Sequence, residues 1–287
     1  MAPTRGIGSL LIASISFGSA AIFIRFADQA TAVSLTLYRL AIAAIVMILF
    51  ALSTRSFKLP SRTDLLLMVL SGVVLSLHFA AYILAVKETT VANATFLVNT
   101  GPVMLVILSP IVIKERTTRR EMWGVILATL GVLLVADAGN GFRTFGWPDL
   151  SALAAAFLLA LYSLIGRQLR TSGITTGCYT SYVYSIAASV SLLLAWGVGA
   201  PISGSYDLQN LIAILGLALV PTVVGHSLYN YALGSVKAVT ANLFPLLEPI
   251  IASLLAVQLF NEIPTPIQVI GYTLILSSVF IVVTRLE

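Results

Sequence analysis

Charge is what this sequence has least of. Lys, Arg, Asp and Glu make up 9% of its 287 residues, where soluble domains carry about 25%. Hydrophobic residues make up 59%, and the mean hydropathy is +1.01. A chain so poor in charge cannot clothe a globular surface in water, so it reads as an integral membrane protein with the lipid bilayer as its first partner. Cysteine is nearly missing as well. The single Cys178 excludes an internal disulfide framework and any multi-cysteine zinc or iron–sulfur site, and two histidines leave little for other metals. No metal site and no cofactor is expected. None of the lysines stands in a Gly-Lys-Ser/Thr phosphate loop, and there is no His-Glu-x-x-His pair or Gly-x-Ser-x-Gly elbow. ATP hydrolysis and the common hydrolase chemistries are therefore not expected, and the chain is read as no enzyme. The pI of about 9.5 does not point to nucleic acid, because the basic residues are spread over many short joints instead of one face.

What the sequence has in abundance is long apolar tracts. A helix needs about 20 apolar residues to cross roughly 30 Å of hydrocarbon, and ten tracts satisfy this: 6-26, 33-52, 64-86, 91-113, 120-138, 148-170, 175-199, 208-233, 239-260 and 264-285. Such runs lack the alternation of barrel strands, so the fold class is all-α, a ten-helix transmembrane bundle. The first tract has some features of a signal peptide, with Arg5 before it and Ser19-Ala20-Ala21 within it. Nine further tracts favour a permanent first helix. The joints between tracts, such as Thr89-Thr90, are short. One alternating set of joints holds twelve Lys and Arg, among them Arg55, Lys58, Lys114, Arg116, Arg167, Lys237 and Arg285; the other holds Arg25, Lys87 and Arg143. Positive residues are retained in the cytoplasm. Both termini are therefore expected there, in a multi-pass protein of the plasma or inner membrane, as a monomer.

The chain also resembles itself. A shift of 147 positions places Tyr82 on Tyr229, Ala94 on Ala241, Pro102 on Pro249, Glu115 on Glu262 and Gly124 on Gly271. A shift of 144 relates Tyr38 to Tyr182 and Ile42-Ala43-Ala44 to Ile186-Ala187-Ala188. The expected units are residues 1–140 and 141–287, each with five helices. Since five is odd, the second unit must enter the membrane from the opposite face. Loop charge agrees: Lys114-Glu115-Arg116 is basic, whereas Asn261-Glu262-Ile263-Pro264 carries no basic residue.

Three stretches carry a resemblance to a known family. They are Ser34 to Leu40 with Tyr38-Arg39 at its centre, the paired tract ends Lys114-Glu115 and Phe260-Asn261-Glu262, and Leu247-Glu248-Pro249-Ile250. In these the chain resembles the EamA-type branch of the drug/metabolite transporter superfamily over nearly its whole length. It departs at Asn261, where the family often has Gly. The resemblance implies an inverted-repeat transporter with a central cavity, and a role in exporting amino acids or other metabolites.

Charges inside the bilayer are the first functional candidates, because each costs roughly 2.5–3.5 kcal/mol near a helix centre. Counting along straight helices puts Arg39 roughly 9 Å and His78 roughly 12 Å from the outer ends of their helices. The same count puts Glu248 roughly 13 Å and His226 roughly 10 Å from the inner ends. The expectation is two polar layers, Arg39 with His78 and Glu248 with His226, with Arg39 and Glu248 as charge or gating groups. Snorkelling of Arg39 and capping by Glu248 are the structural alternatives. Pro102 and Pro110 interrupt the fourth tract, Pro221 the eighth, and Pro245 and Pro249 the ninth. Such breaks point to a midplane site, with Asn93, Asn99 and Asn242 beside them, or else to packing kinks. Tyr38, Tyr82, Tyr162, Tyr182 and Tyr229 lie within tracts and, with the Asn side chains, are candidates for binding an amphipathic solute. Small residues such as Ala152, Ala156 and Ala160, or Gly124 and Ala128, are read as helix contacts.

The composite expectation is a secondary transporter of a small metabolite, foremost an amino acid or related compound, working by alternating access. Proton coupling is allowed by the buried titratable groups and not demanded by them. An exporter of lipophilic drugs or cations, and an intramembrane enzyme or non-transporting scaffold, stay open as alternatives.

Overall fold

The computed structural model describes residues 3–89, 91–137, 146–202, 204–260 and 263–284. Expectations resting on Thr90, Arg143, Asn261, Glu262, Arg285 and the Asn93 side chain lie outside the described residues. The described residues of each tract are mostly helical, and no strand occurs among them. The helices are α1 (Pro3–Phe17), α2 (Ala20–Phe26), α3 (Ala32–Ser53), α4 (Arg62–Glu88), α5 (Val91–Val98), α6 (Gly101–Val112), α7 (Arg119–Asp137) and α8 (Trp147–Thr171). They continue with α9 (Thr176–Gly197), α10 (Leu208–Leu217), α11 (Ser227–Ala232), α12 (Ala238–Leu243), α13 (Glu248–Phe260) and α14 (Pro266–Val283). Among the described residues eight segments are long and apolar enough to cross a membrane, and Ala238–Ile251 is a shorter apolar helix. The fifth tract, α7, opens on Arg119, Arg120 and Glu121, which sets it apart from those eight.

Local chemistry fixes where these helices start. Each of Thr31, Ser61, Thr175, Asp207 and Thr265 stands just before an apolar tract, and its side-chain oxygen accepts the backbone N–H three residues on. That satisfies one of the four free amides at each helix start. Prolines account for most of the breaks. The fourth tract breaks at Asn99-Thr100, just ahead of Pro102, yet α6 runs on through Pro110. Pro110 therefore does not interrupt it as expected. The eighth tract widens into a π-helix over Ala218–His226 around Pro221, and the ninth tightens into a 3-10 turn over Phe244–Leu247 containing Pro245. Pro249 falls in the first turn of α13, where its missing N–H has no helical acceptor to lose.

Packing follows the small residues. α7 lies along α14, and a Cβ on Gly131 would stand 2.6 Å from the Gly271 carbonyl oxygen, with the reverse equally true. Ala152, Ala155, Ala156 and Ala160 form a fully buried face of α8 against its neighbours. Elsewhere α3 packs on α9, α4 on α8, and α1 on the π-helix and α11. Large apolar side chains such as Ile15, Leu49, Trp196 and Phe280 are left exposed, as a lipid-facing surface requires.

Contacts also sort the joints into two ends. At the basic end Arg167 Nε meets Glu115 Oε1 at 2.8 Å and Arg167 Nη1 donates to the Leu233 carbonyl at 2.7 Å. Nearby, Lys237 Nζ lies 3.4 Å from Glu121 Oε2, which also accepts from the Thr118 backbone N–H at 2.7 Å; Glu121 Oε1 accepts from Thr240 Oγ1 at 2.9 Å. At the other end neutral groups dominate. Gln29 donates to Asp207, Asn210 to Asp28, and Ser34 and Tyr38 to the carbonyls of Pro201 and Ile202.

Candidate functional site

The broken helices meet around a buried cavity of about 50 Å³. Its wall draws on many segments: Phe17 of α1, Ala20 of α2, Arg39 of α3, Tyr82 of α4, Leu159 of α8 and Tyr229 of α11 among them. A preformed apolar cavity that holds benzene measures about 150 Å³. The present cavity is smaller than that.

Arg39 is the most heavily determined residue of the wall. It is 1% exposed, its Nε donates to Thr222 Oγ1 at 2.5 Å, and its guanidinium carbon lies 3.6 Å from the centroid of the Phe79 ring. Thr222 is delivered by the π-helix and donates in turn to the Leu217 carbonyl five residues back, at 2.9 Å. The wider turn thus converts the Pro221 break into an oxygen aimed at a buried cation. A planar, delocalised cation on an aromatic face gains a cation–π contact. It is not neutralised by one, and Arg39 Nη1 has no partner among the described residues.

Glu248 enters from the far side. The 3-10 turn runs directly into α13, whose first residue is Glu248, and the Glu248 backbone N–H donates to the Pro245 carbonyl. Tyr82 donates to Glu248 Oε1 at 3.1 Å. Both Arg39 and Glu248 line the cavity, yet they are not one of the two ion pairs within 4.0 Å among the described residues.

The histidines complete the middle of the site. His78 Nδ1 donates to the Ala155 carbonyl at 2.8 Å, an assignment that follows from the acceptor being a carbonyl. His226 is held by rings, with centroid distances of 4.8 Å to Phe17 and 4.9 Å to Phe79, and its Nδ1 has no partner among the described residues. The two histidine rings lie 6.4 Å apart. The expected two layers therefore do not exist: Arg39, His78, Glu248 and His226 line one cavity. Depth counted along a straight helix says nothing of how the helices lean together, and the π-helix and the 3-10 turn mean that the two helices carrying His226 and Glu248 are not straight α-helices.

Among the other candidates, Asn99 also lines the cavity, and its side-chain amide nitrogen has no partner among the described residues. Tyr229 lines it from the opposite side to Tyr82, with its hydroxyl 2.7 Å from Ser163 Oγ. Asn242 stands behind, donating to the Tyr229 hydroxyl at 2.9 Å and to Ser163 Oγ at 3.2 Å. Three tyrosines lie apart from the cavity. Tyr162 is buried and accepts from Asn230 Nδ2 at 2.6 Å. Tyr38 sits under the loop at the neutral end, 3.2 Å from the Tyr206 hydroxyl. Tyr182 stacks on Phe57 at a centroid distance of 5.2 Å. Each has a local partner that fixes it elsewhere.

Sequence reasoning passed over Phe17, Phe79, Leu159 and Thr222. One signal was present: the same shift of 147 that joins Tyr82 to Tyr229 also joins Phe79 to His226, and these two rings meet edge to face across the cavity. Among the described residues no group of three His, Cys, Asp or Glu is placed to hold a metal ion. The chemistry available is recognition: two opposite charges, free hydrogen-bonding nitrogens and aromatic walls.

Comparison with known proteins agrees with a transporter. The chain matches the EamA-like transporter family over residues 4–136 and 146–284. It is 24% identical over 260 residues to an "Uncharacterized transporter" of Archaeoglobus fulgidus, covering 88% of each chain. It is 25% identical to a "Probable terminal-alkyne amino-acid exporter" of Streptantibioticus cattleyicolor, over 98% of this chain and 94% of that one. Identity to a "Probable amino-acid metabolite efflux pump" of Salmonella typhimurium is 24%, over 84% of each. A solved crystal structure shares the fold with a TM-score of 0.80 at 18% identity, covering 98% of this chain and 96% of the other. The helical bundle, its central cavity and these matches together make this a multi-pass membrane protein that belongs to the EamA-like transporter family.

Proposed function

We propose that this transporter is a secondary carrier of small metabolites, foremost amino acids and related amphipathic compounds, which it exports by alternating access between two inverted five-helix halves. The observation that carries the reading is the central cavity, built where tracts of both proposed halves are broken, with opposite charges buried in its lining. Broken helices at corresponding places in two halves are where such carriers bind their solutes.

The packing supports the two halves. α3 on α9 and α7 on α14 pair the second tract with the seventh and the fifth with the tenth. The first tract packs on the eighth, and the sixth on the third, which a two-fold axis in the membrane plane makes the same contact twice. The names of two relatives speak of amino-acid export and efflux, and that supports the solute class and the direction. The twelve-to-three division of Lys and Arg supports cytoplasmic termini in a plasma or inner membrane.

The test is counterflow in liposomes holding only the purified protein, with a panel of labelled amino acids and other metabolites. Exchange of one solute class, lost in Glu248→Gln, is expected; repeating it across a pH gradient reads out whether protons drive it. Absence of exchange for every amino acid and metabolite, with folding verified, would overturn the reading.

A further inference from the structure

The cavity of the proposed carrier holds two buried charges that the protein itself leaves unpaired. Arg39 is positioned by Thr222 and Phe79, and Glu248 by Tyr82, but none of these partners is charged. Pairing the two charges directly would have cancelled both, and the backbone does not bring them within 4.0 Å. The unmet nitrogens beside them are also informative. Arg39 Nη1 and Asn99 Nδ2 are donors only, so each seeks an acceptor oxygen.

We infer that the cavity selects solutes carrying a cationic and an anionic group together, with Arg39 and Asn99 receiving the anionic group and Glu248 the cationic one. The inference rests on the carrier reading and adds what the carrier requires of its solute. Charge balance gives the reason. Arg39 and Glu248 already sum to zero, so a solute that is itself neutral overall enters without leaving a net charge in a medium of low dielectric constant. A simple amine satisfies Glu248 and leaves Arg39 with neither counter-charge nor acceptor. A simple acid does the reverse. Apolar and aromatic residues such as Phe17, Tyr82 and Val98 line the rest of the cavity, beside which the solute's side chain would lie.

The experiment is competition against counterflow in wild-type proteoliposomes by three solutes sharing one side chain: an amino acid, its decarboxylated amine and its deaminated acid. The amino acid is expected to compete, and the amine and the acid to be weaker by about 100-fold, since each leaves one buried charge unmatched. Read as ligand-induced thermal stabilisation of the purified variants in micelles, Glu248→Gln should narrow the gap for the acid, and Arg39→Gln should narrow it for the amine. If Arg39→Gln does not fold, Asn99→Ala should weaken the amino acid and the acid by about tenfold and leave the amine unchanged. An amine or acid that competes as well as the amino acid in the wild type overturns the inference while leaving the carrier reading intact. Exchange absent for every solute, in folded protein, overturns both.

Discussion

Two sets of charges in this protein are chemically alike and structurally opposite. At the basic end Arg167 and Glu115 meet at 2.8 Å with 15% and 21% of their side chains exposed. At the centre Arg39 and Glu248 are buried and share a cavity, yet they do not pair. The first set ties the α6–α7 joint to α8 and costs the fold little, because water screens both partners. The second costs several kcal/mol of desolvation, which hydrogen bonds from neutral partners and one aromatic face offset only in part. Charges kept at that expense, and kept apart, belong to what the protein does and not to how it stands.

The sharpest way to break this contrast is a double-mutant cycle at the centre. Arg39→Met alone or Glu248→Leu alone should not show the loss of about 3 kcal/mol that breaking a buried ion pair causes, since the two charges are not paired in the wild type. The double variant should be as stable as wild type or more so, because two well-packed apolar side chains replace two desolvated charges. All three should lose counterflow. Thermal unfolding in micelles beside counterflow in liposomes checks this, and a double variant less stable than either single one would mean that the charges do hold the fold.

Next come the two tyrosines. Tyr82→Phe removes the donor to the Glu248 carboxylate and should cost about 2 kcal/mol, with at least a tenfold loss of exchange. Tyr229→Phe costs about 1 kcal/mol, because Asn242 and Ser163 keep their own bond at 3.2 Å. Equal effects would show that the two sides of the cavity do not differ as their partners do. The paired charges at the basic end rank lower. Glu115→Gln should change stability by about 0.5 kcal/mol and make it less dependent on salt, read by melting at low and high ionic strength.

The smallest effect is expected at Asp207, an exposed charge at the neutral end. Hydrogen bonds from the Asn210 backbone and side chain hold its carboxyl below the ordinary Asp range. A lowered pKa means that its contribution is present above the unfolded value and is lost as pH falls through the folded one. Asp207→Ala should therefore lower the melting temperature slightly at neutral pH and converge on wild type as the pH falls through the acid range.

Much of this was legible from residue order alone. Ten apolar tracts became helical segments, and hydroxyl or carboxyl residues just ahead of several of them became their caps. The breaks at Pro221 and Pro245 are where the sequence marks them, but Pro110 is absorbed within α6, because losing one hydrogen bond bends a helix without ending it. Seven of the candidate residues line the cavity: Arg39, His78, Tyr82, Asn99, His226, Tyr229 and Glu248. Their arrangement was not legible, since depth along a tract says nothing about which face of a helix turns inward or how far a π-helix rotates the turns beyond it. Tyr38, Tyr162 and Tyr182 make the same point from the other side, each being fixed away from the cavity by a partner distant in the chain.

The sequence by itself determined that this chain lives in a bilayer, where its helices begin and break, and which few charges lie within them. Those features come from hydrophobicity, proline and capping, which act over a few residues. Only the tertiary structure decided that Arg39 and Glu248, more than two hundred positions apart, share one cavity without touching. That depends on the rotation and bend of helices packed against one another, and close packing, which sets both, is a property of the whole bundle.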